Sequence, residues 1–342
     1  MRKTISFDDV LLVPKFSSVM SRHDIDLSVD IPKLQRSIDV PIVSAPMDSV
    51  TEDTMAAAMY ELGGLGIIHR YNSPTQQAAL VAAALEIAGP DAIVGAAVGV
   101  SGDFEDRATA VYDAGARVLC LDIAHGHHAL MKKALKRLKS VFGHSVHLMA
   151  GNVATLEAFN DLSDWGADSI RVGIGGGSIC STRVQTGHGV PTLQSVVDCS
   201  RSDRPALLIA DGGIKNSGDM VKSLAAGADL VMCGSLLSGT DETPGDTIRP
   251  AGGTPRKVYR GMASREAQKS WRNKVGSIEG ISTTVEIKGP VEYVLKDLAW
   301  GIRSGLSYSG CSSLSELRSR CELILQTSSG TRESNTHILN VI

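Results

Sequence analysis

The stretch GIGGGSICSTRVQTGHG, residues 173–189, places Cys180 inside a run of glycines. Glycine exposes backbone N–H groups and lets the chain approach a ligand closely, so the run has the composition of an anion cradle. A thiol there is either one more small buried side chain, the common fate of a free cysteine, or a nucleophile facing a bound nucleotide. ADGGIKNSGD (210–219) and MCGSLLSG (232–239) also end apolar runs in glycine and serine. Glycine ends strands in many proteins, and one such loop alone says little. Three after consecutive strands make Ser178, Gly213, Gly234 and Ser235 a candidate phosphate cradle. Asp211 closes an apolar run, where a carboxylate is costly unless hydrogen-bonded, and ribose hydroxyls are natural partners. Helix capping explains it less well, because Asn216 and Ser217 are better placed to cap the next helix. Asp122 ends RVLCLDIA in the same way and suits a second ribose or a structural ion pair equally. His125, His127 and His128 in HGHH invite a metal, but no acidic or cysteine partner stands at a familiar ligand spacing.

These residues need elements to hold them. Eight short apolar runs (41–45, 64–69, 92–99, 117–124, 145–151, 169–175, 205–213 and 230–235) alternate with alanine-rich amphipathic stretches such as TEDTMAAAMYEL and SPTQQAALVAAALEI. Continuous apolar runs suit parallel strands buried on both faces, with helices covering them. AGARVLCLD, WGADSIRVG and AGADLVMCG repeat a helix, Gly-Ala turn, strand unit. The expectation is an α/β fold, a (β/α)₈ TIM barrel formed as one catalytic domain over 1–342, with a doubly wound open sheet as the alternative. Residues 1–40 form an N-terminal prelude. Residues 236–290 form an insertion after strand eight, at the barrel face where active sites assemble, and are expected to be a hairpin and lid. The tail, 327–342, is polar and expected to be mobile.

The chain has 342 residues, with 34 basic and 37 acidic side chains and a formal net charge of -3. The balance, without runs of one sign, gives no footprint for nucleic acid or an anionic membrane. Aromatic residues make up 4%, too few for a base-stacking platform. Six scattered cysteines without a C-x-x-C pair point to a reduced compartment and no zinc. No run approaches the ~20 apolar residues of a membrane helix, and the first residues lack a secretory pattern, so a cytoplasmic location is expected.

TISFDDVLLVP, SAPMDSVTE, GLGIIHR, MAGNVAT, GIGGGSICSTR, ADGGIKNSGDMVKSLAAGADLVMCGSLLSGT, YRGMAS and EGISTTVEIKGPV closely resemble the IMP dehydrogenase/GMP reductase family over nearly the whole chain. The resemblance implies a homotetramer of parallel barrels that binds a purine nucleotide monophosphate and a nicotinamide cofactor. In it Cys180 attacks purine C2 and Thr182 handles the proton of water or ammonia. Met47, Asn152 and Met232 belong to the substrate site, Asp211 to the ribose, and Ser178, Gly213, Gly234, Ser235 and Tyr259 to the phosphate. The backbone of Gly261 and Met262 meets the purine edge. Asp122, Gly173 and Gly175 flank the nicotinamide, and carbonyls of Gly175, Gly177 and Cys180 resemble a site for a monovalent cation, K⁺.

The family's two reactions share the covalent intermediate. A dehydrogenase oxidises IMP with NAD⁺ and hydrolyses the adduct to XMP, whereas a reductase expels ammonia from GMP and reduces the adduct with NADPH to IMP. Most dehydrogenases carry a regulatory tandem domain after the second strand, where here GLGIIHRYNSPTQQAAL runs straight on. Dehydrogenases also use a flap bearing an Arg-Tyr pair to activate water, but REAQKSWRNKVGSI (265–278) is short and contains no tyrosine. A reductase instead pairs the threonine after the cysteine with a glutamate, here Glu279, and QTGHGVPTL with Thr186 is reductase-like. SAPMDSVTE, GTDETPG and YRGMAS, with Ala263 in place of a serine common in reductases, point the other way. The expectation is an NADPH-dependent GMP reductase, with IMP dehydrogenase as the alternative. A nucleotide-binding protein without turnover is the third reading, disfavoured by the Cys180, Thr182 and Glu279 set.

Overall fold

The computed structural model describes residues 1–250, 252–273 and 275–334. The prelude contributes short strands at Val10–Leu12 (β1), Val29–Ile31 (β2) and Arg36–Ile38 (β3), with β2 and β3 paired as an antiparallel ribbon. All eight expected barrel strands follow: Ile42–Ser44 (β4), Leu65–Ile68 (β5), Val94–Val98 (β6), Val118–Asp122 (β7), His147–Val153 (β8), Ser169–Val172 (β9), Leu207–Asp211 (β10) and Leu230–Cys233 (β11). Every neighbouring pair is parallel, and β11 closes the ring on β4 with Met232 opposite Val43. The closed ring removes the open-sheet alternative and leaves no sheet edge unpaired.

The covering helices are Asp53–Glu61 (α1), Pro74–Ala88 (α2), Phe104–Asp113 (α3), Ala129–Phe142 (α4), Leu156–Asp164 (α5), the single turn Thr182–Thr186 (α6), Thr192–Cys199 (α7) and Ser217–Ala225 (α8). Their starts are written in the sequence: Ser73 and Gln76 form a capping box on α2, Thr155 caps α5, and Asn216 caps α8 through Asp219 N. The repeated Gly-Ala turns have a common cause. Gly115, Gly166 and Gly227 adopt φ of 113°, 111° and 114°, a left-handed conformation that ends each helix where the next strand begins.

The insertion rises from the C-terminal ends of the strands. Arg256–Arg260 (β12) and Ser282–Glu286 (β13) form an antiparallel ribbon with helix Arg265–Arg272 (α9) between them. Lys257 Nζ ties its base by donating to the carbonyls of Thr240, Asp241 and Thr243. Arg260 pairs with Asp48 of the β4–α1 loop at 2.5 Å. Helix Val291–Tyr308 (α10) then completes the eighth unit, and Leu314–Arg320 (α11) leads to Leu323–Leu325 (β14), which pairs with β1. Within the segment expected to be a mobile tail, Ser328–Glu333 forms a helix (α12) capped by Thr327, and Thr331 donates to the carbonyl of Asp8. The rest of that segment, 335–342, lies outside the described residues.

Candidate active site

A cleft of about 560 Å³ opens between the C-terminal strand ends and the insertion. Cys180 lies on it and is the exposed cysteine. Cys120, Cys199, Cys233 and Cys311 are buried, and burial pushes their thiols up, to about 11 for Cys120 and about 12 for Cys199. The Cys180 thiol stands 3.1 Å from Thr182 Oγ1, at the first residue of α6.

The loop carrying Cys180 is held from both sides. Arg183 donates to the carbonyls of Val190 and Ile174, drawing the loop into a ring. Gly175 has to be glycine there, because it adopts φ 76° and a Cβ would lie 2.5 Å from the Arg183 stem. On the other side the loop pairs with the insertion: Ile281 N–H donates to Ile179 O at 3.0 Å, and Ser181 N–H to Glu279 O at 2.9 Å. This short ladder brings Glu279 into the wall shared by Cys180 and Thr182. Ser277 Oγ donates to its Oε1 at 3.3 Å.

Under the cleft lies an ion network whose centre sequence reasoning missed. Arg171, buried in β9, donates to Asp122 Oδ1 at 2.7 Å and to Asp211 Oδ2 through Nε (3.1 Å) and Nη2 (2.9 Å). Asn152 Nδ2 also donates to Asp211 Oδ2 at 2.7 Å. Among the described residues no hydrogen bond ends on Asp211 Oδ1, which leaves that oxygen for a ligand. Burial alone would raise the Asp122 carboxyl, but Arg171 and Arg70 outweigh it and hold it below the usual carboxylate range. For Asp122 the ion-pair alternative is thus the observed arrangement. A lone arginine in the apolar run SIRVG was the available signal, since a charge in a buried strand requires buried partners.

Arg70 and Tyr71, at the end of β5, were likewise unassigned. The Arg70 guanidinium lies 5.2 Å from the Tyr71 ring centroid and 6.0 Å from that of Trp271 on α9. The Tyr71 and Trp271 rings meet edge to face at 4.9 Å. All three line the same cleft as Cys180.

Of the remaining expected site residues, Met47, Asn152, Gly173, Gly175, Gly177, Asp211, Tyr259, Gly261 and Met262 line the same cleft. Ser178 Oγ lies 3.5 Å from Tyr259 Oη, and Ser178 and Ser235 both favour ionisation of that hydroxyl, which burial nonetheless pushes up. A Cβ on Gly234 would sit 3.2 Å from Tyr259 Oη, and one on Gly213 would sit 3.2 Å from Gly176 O. Ser178, Gly234 and Ser235 therefore gather around Tyr259, with Gly213 against the glycine run. Met232 is buried within β11 and does not line the cleft. The histidines of HGHH have other partners: His127 pairs with Asp161 at 2.9 Å, and His128 caps α4. Among the described residues no three His, Cys, Asp or Glu side chains gather as a metal site, and no helix is long and apolar enough to cross a membrane.

The family described as the IMP dehydrogenase / GMP reductase domain matches residues 4–337. An inosine-5'-monophosphate dehydrogenase of Nitrosopumilus maritimus is 35% identical, covering 98% of each chain, and a GMP reductase of Leishmania major is 32% identical, covering 97% of this chain and 96% of its own. Those alignments run over 473 and 478 positions, longer than this chain, so each relative has stretches without a counterpart here. As this holds for a reductase as well as a dehydrogenase, extra length does not separate the two activities. A solved GMP reductase of Trypanosoma brucei, a cysteine-to-alanine variant in complex with guanosine 5'-monophosphate, superposes with a TM-score of 0.93 at 30% identity over 99% of both chains. A barrel whose cysteine loop, strand-end carboxylates and hairpin insertion converge on one cleft, matched end to end by these relatives, belongs to the IMP dehydrogenase/GMP reductase family of oxidoreductases.

Proposed function

We propose that this protein is a GMP reductase, converting GMP to IMP and ammonia with NADPH. The observation that carries the reading is what the insertion brings into the cleft that holds Cys180. Helix α9 presents Trp271 against Tyr71 and Arg70, while Glu279 lines the same cleft as Cys180 and Thr182. The cleft does hold an adjacent arginine and tyrosine, but they are poorly suited to activating water. Arg70 is engaged by Asp122, and burial pushes the Tyr71 hydroxyl above its ordinary value, so it stays protonated.

In the proposed reaction the nucleotide phosphate sits on Ser178, Gly213, Gly234, Ser235 and Tyr259, and a ribose hydroxyl donates to Asp211 Oδ1. Met47 and Asn152 flank the base, and the Gly261 and Met262 backbone meets its edge. Anchored this way, C2 lies within reach of Cys180, and attack becomes an intramolecular step. The C–S bond forms, Thr182 and Glu279 deliver a proton to the leaving nitrogen, and the C2–N bond breaks to release ammonia. NADPH, when bound, supplies the hydride that reduces C2, after which the C–S bond breaks and IMP leaves.

The residues fit a nicotinamide group: Gly173 and Gly175 bare the backbone along the cleft, and Asp122, held by Arg171 and Arg70, stands in the same lining as an acceptor for a hydroxyl. They also fit K⁺, which takes neutral carbonyl oxygens. The Gly177 carbonyl spends one lone pair on Cys180 N–H at 3.1 Å and keeps another, and the carbonyls of Gly175 and Cys180 would complete the set. A homotetramer and a cytoplasmic location accord with the family resemblance.

IMP dehydrogenase is the second reading, supported by Ala263, which lines the cleft where reductases commonly have serine. Acid quenching separates the two. GMP alone should release ammonia and leave a purine adduct on Cys180, and IMP alone should not. A chain that forms the adduct from IMP and NAD⁺ but not from GMP is a dehydrogenase.

A further inference from the structure

A second cavity, of about 420 Å³, lies at the opposite end of the barrel. Its lining comes from segments that precede strands, Asp91 before β6, Arg117 before β7 and His144 before β8, with Lys33 and Arg36 of the prelude beside them. It is therefore on the N-terminal face, separated from the nucleotide cleft by the length of the barrel core.

Three basic side chains, Lys33, Arg36 and Arg117, share this lining with one carboxylate, Asp91. Lys33, with its side chain only 11% exposed, donates to His144 Nδ1 at 2.8 Å. The nearest carboxylate to Lys33 is Asp168 at 3.9 Å, and Asp168 is shared with Lys139 at 3.5 Å. Burial, together with Lys139, accordingly pulls the Lys33 ammonium below its ordinary value. Arg36 donates to the backbone carbonyl of Asp91 at 2.6 Å, with the Asp91 carboxylate 3.8 Å away. Arg117 donates from Nη1 to the carbonyls of Tyr112 and Ala116. A guanidinium has five N–H donors in a fork that matches phosphate, so both arginines are oriented by backbone and keep donors in hand. Leu34, Leu85 and Pro90 supply an apolar wall.

We infer that this cavity is a second ligand site, for a small organic phosphate. Its phosphate oxygens lie among Lys33, Arg36 and Arg117, and its organic body lies against Leu34, Leu85 and Pro90. Three basic side chains against one lining carboxylate give this concavity an excess of positive charge that favours an anion, and the volume exceeds what an inorganic phosphate fills.

The test is calorimetric titration of the full chain, first saturated with GMP and NADP⁺ so that the nucleotide cleft is filled. ATP serves as the organic phosphate probe, with pyrophosphate and inorganic phosphate as the other arms. The expected result is one further equivalent of ATP per chain, bound more tightly than pyrophosphate. Lys33→Ala and Arg117→Ala should each weaken it at least tenfold, and Arg117→Lys should weaken it less. Absence of binding by every probe overturns the site, as does ATP affinity unchanged in both alanine variants. Pyrophosphate binding as tightly as ATP overturns its assignment to an organic phosphate.

Discussion

Cys180 is the thiol that the fold leaves facing the cleft, and the groups proposed to bind phosphate and ribose are separate from it. Cys180→Ala should therefore abolish NADPH oxidation while GMP binding, read by calorimetry, stays within about threefold of the parent. Near-normal turnover in that variant would remove the covalent step. Asp211 is a different case, because its Oδ2 is held by Arg171 and Asn152 and only Oδ1 is left for ribose. Asp211→Ala should weaken GMP binding by about 10- to 100-fold, the worth of a hydrogen bond to a charged group, ~1.5–3 kcal/mol. Arg171→Met leaves part-buried Asp211 without its cation and Asp122 with Arg70 alone, and should destabilise the fold by about 3–5 kcal/mol in urea titrations. At this scale the sequence showed the nucleophile and both strand-end carboxylates, because each stands out against glycine or apolar neighbours. It did not show that one arginine joins Asp122 to Asp211. Its partners lie 49 and 40 residues away and meet it only when the barrel closes.

The strands were legible because parallel strands buried on both faces read as unbroken apolar runs, and the helix ends were legible in Ser73, Thr155 and Asn216. The insertion was legible as a polar interruption, but not its packing. Trp271 belongs to a helix of mostly charged and polar residues, and nothing local indicates that it meets Tyr71, 200 positions earlier. In the proposed reaction Trp271 is an aromatic wall of the cleft that keeps water from the adduct. Trp271→Ala should admit water, so that part of the adduct hydrolyses to XMP, and ammonia released per NADPH oxidised should rise above the one-to-one ratio of the parent. A ratio that stays at one assigns the exclusion of water elsewhere. On the facing ladder, Glu279→Gln should slow ammonia release more than hydride transfer, since only the former needs a proton delivered to the leaving group. Single-turnover kinetics that follow ammonia and NADPH separately check this.

The barrel as a whole carries its own titration. His147 starts β8, is 2% exposed and meets Ser169 Oγ at 2.8 Å, and burial lowers it to about 4. Below its unfolded value near 6.5 the unfolded chain takes up a proton that the folded chain refuses, so this contribution to stability is whole above that pH. It falls as the pH drops toward 4, by roughly 3 kcal/mol at most. Urea midpoints should decline between pH 7 and 4.5, and His147→Gln should flatten that decline. The same closed ring sets the cysteine loop, the carboxylates and the hairpin around one cleft, and the central claim is that this cleft reduces GMP rather than oxidising IMP. The direct measurement is absorbance at the nicotinamide band in paired steady-state assays, GMP with NADPH against IMP with NAD⁺. NADPH oxidation matched by ammonia and IMP is expected in the first, and little or no XMP in the second. Efficient XMP formation in the second, with no NADPH oxidation in the first, would contradict the central claim and place water activation on a residue other than those proposed.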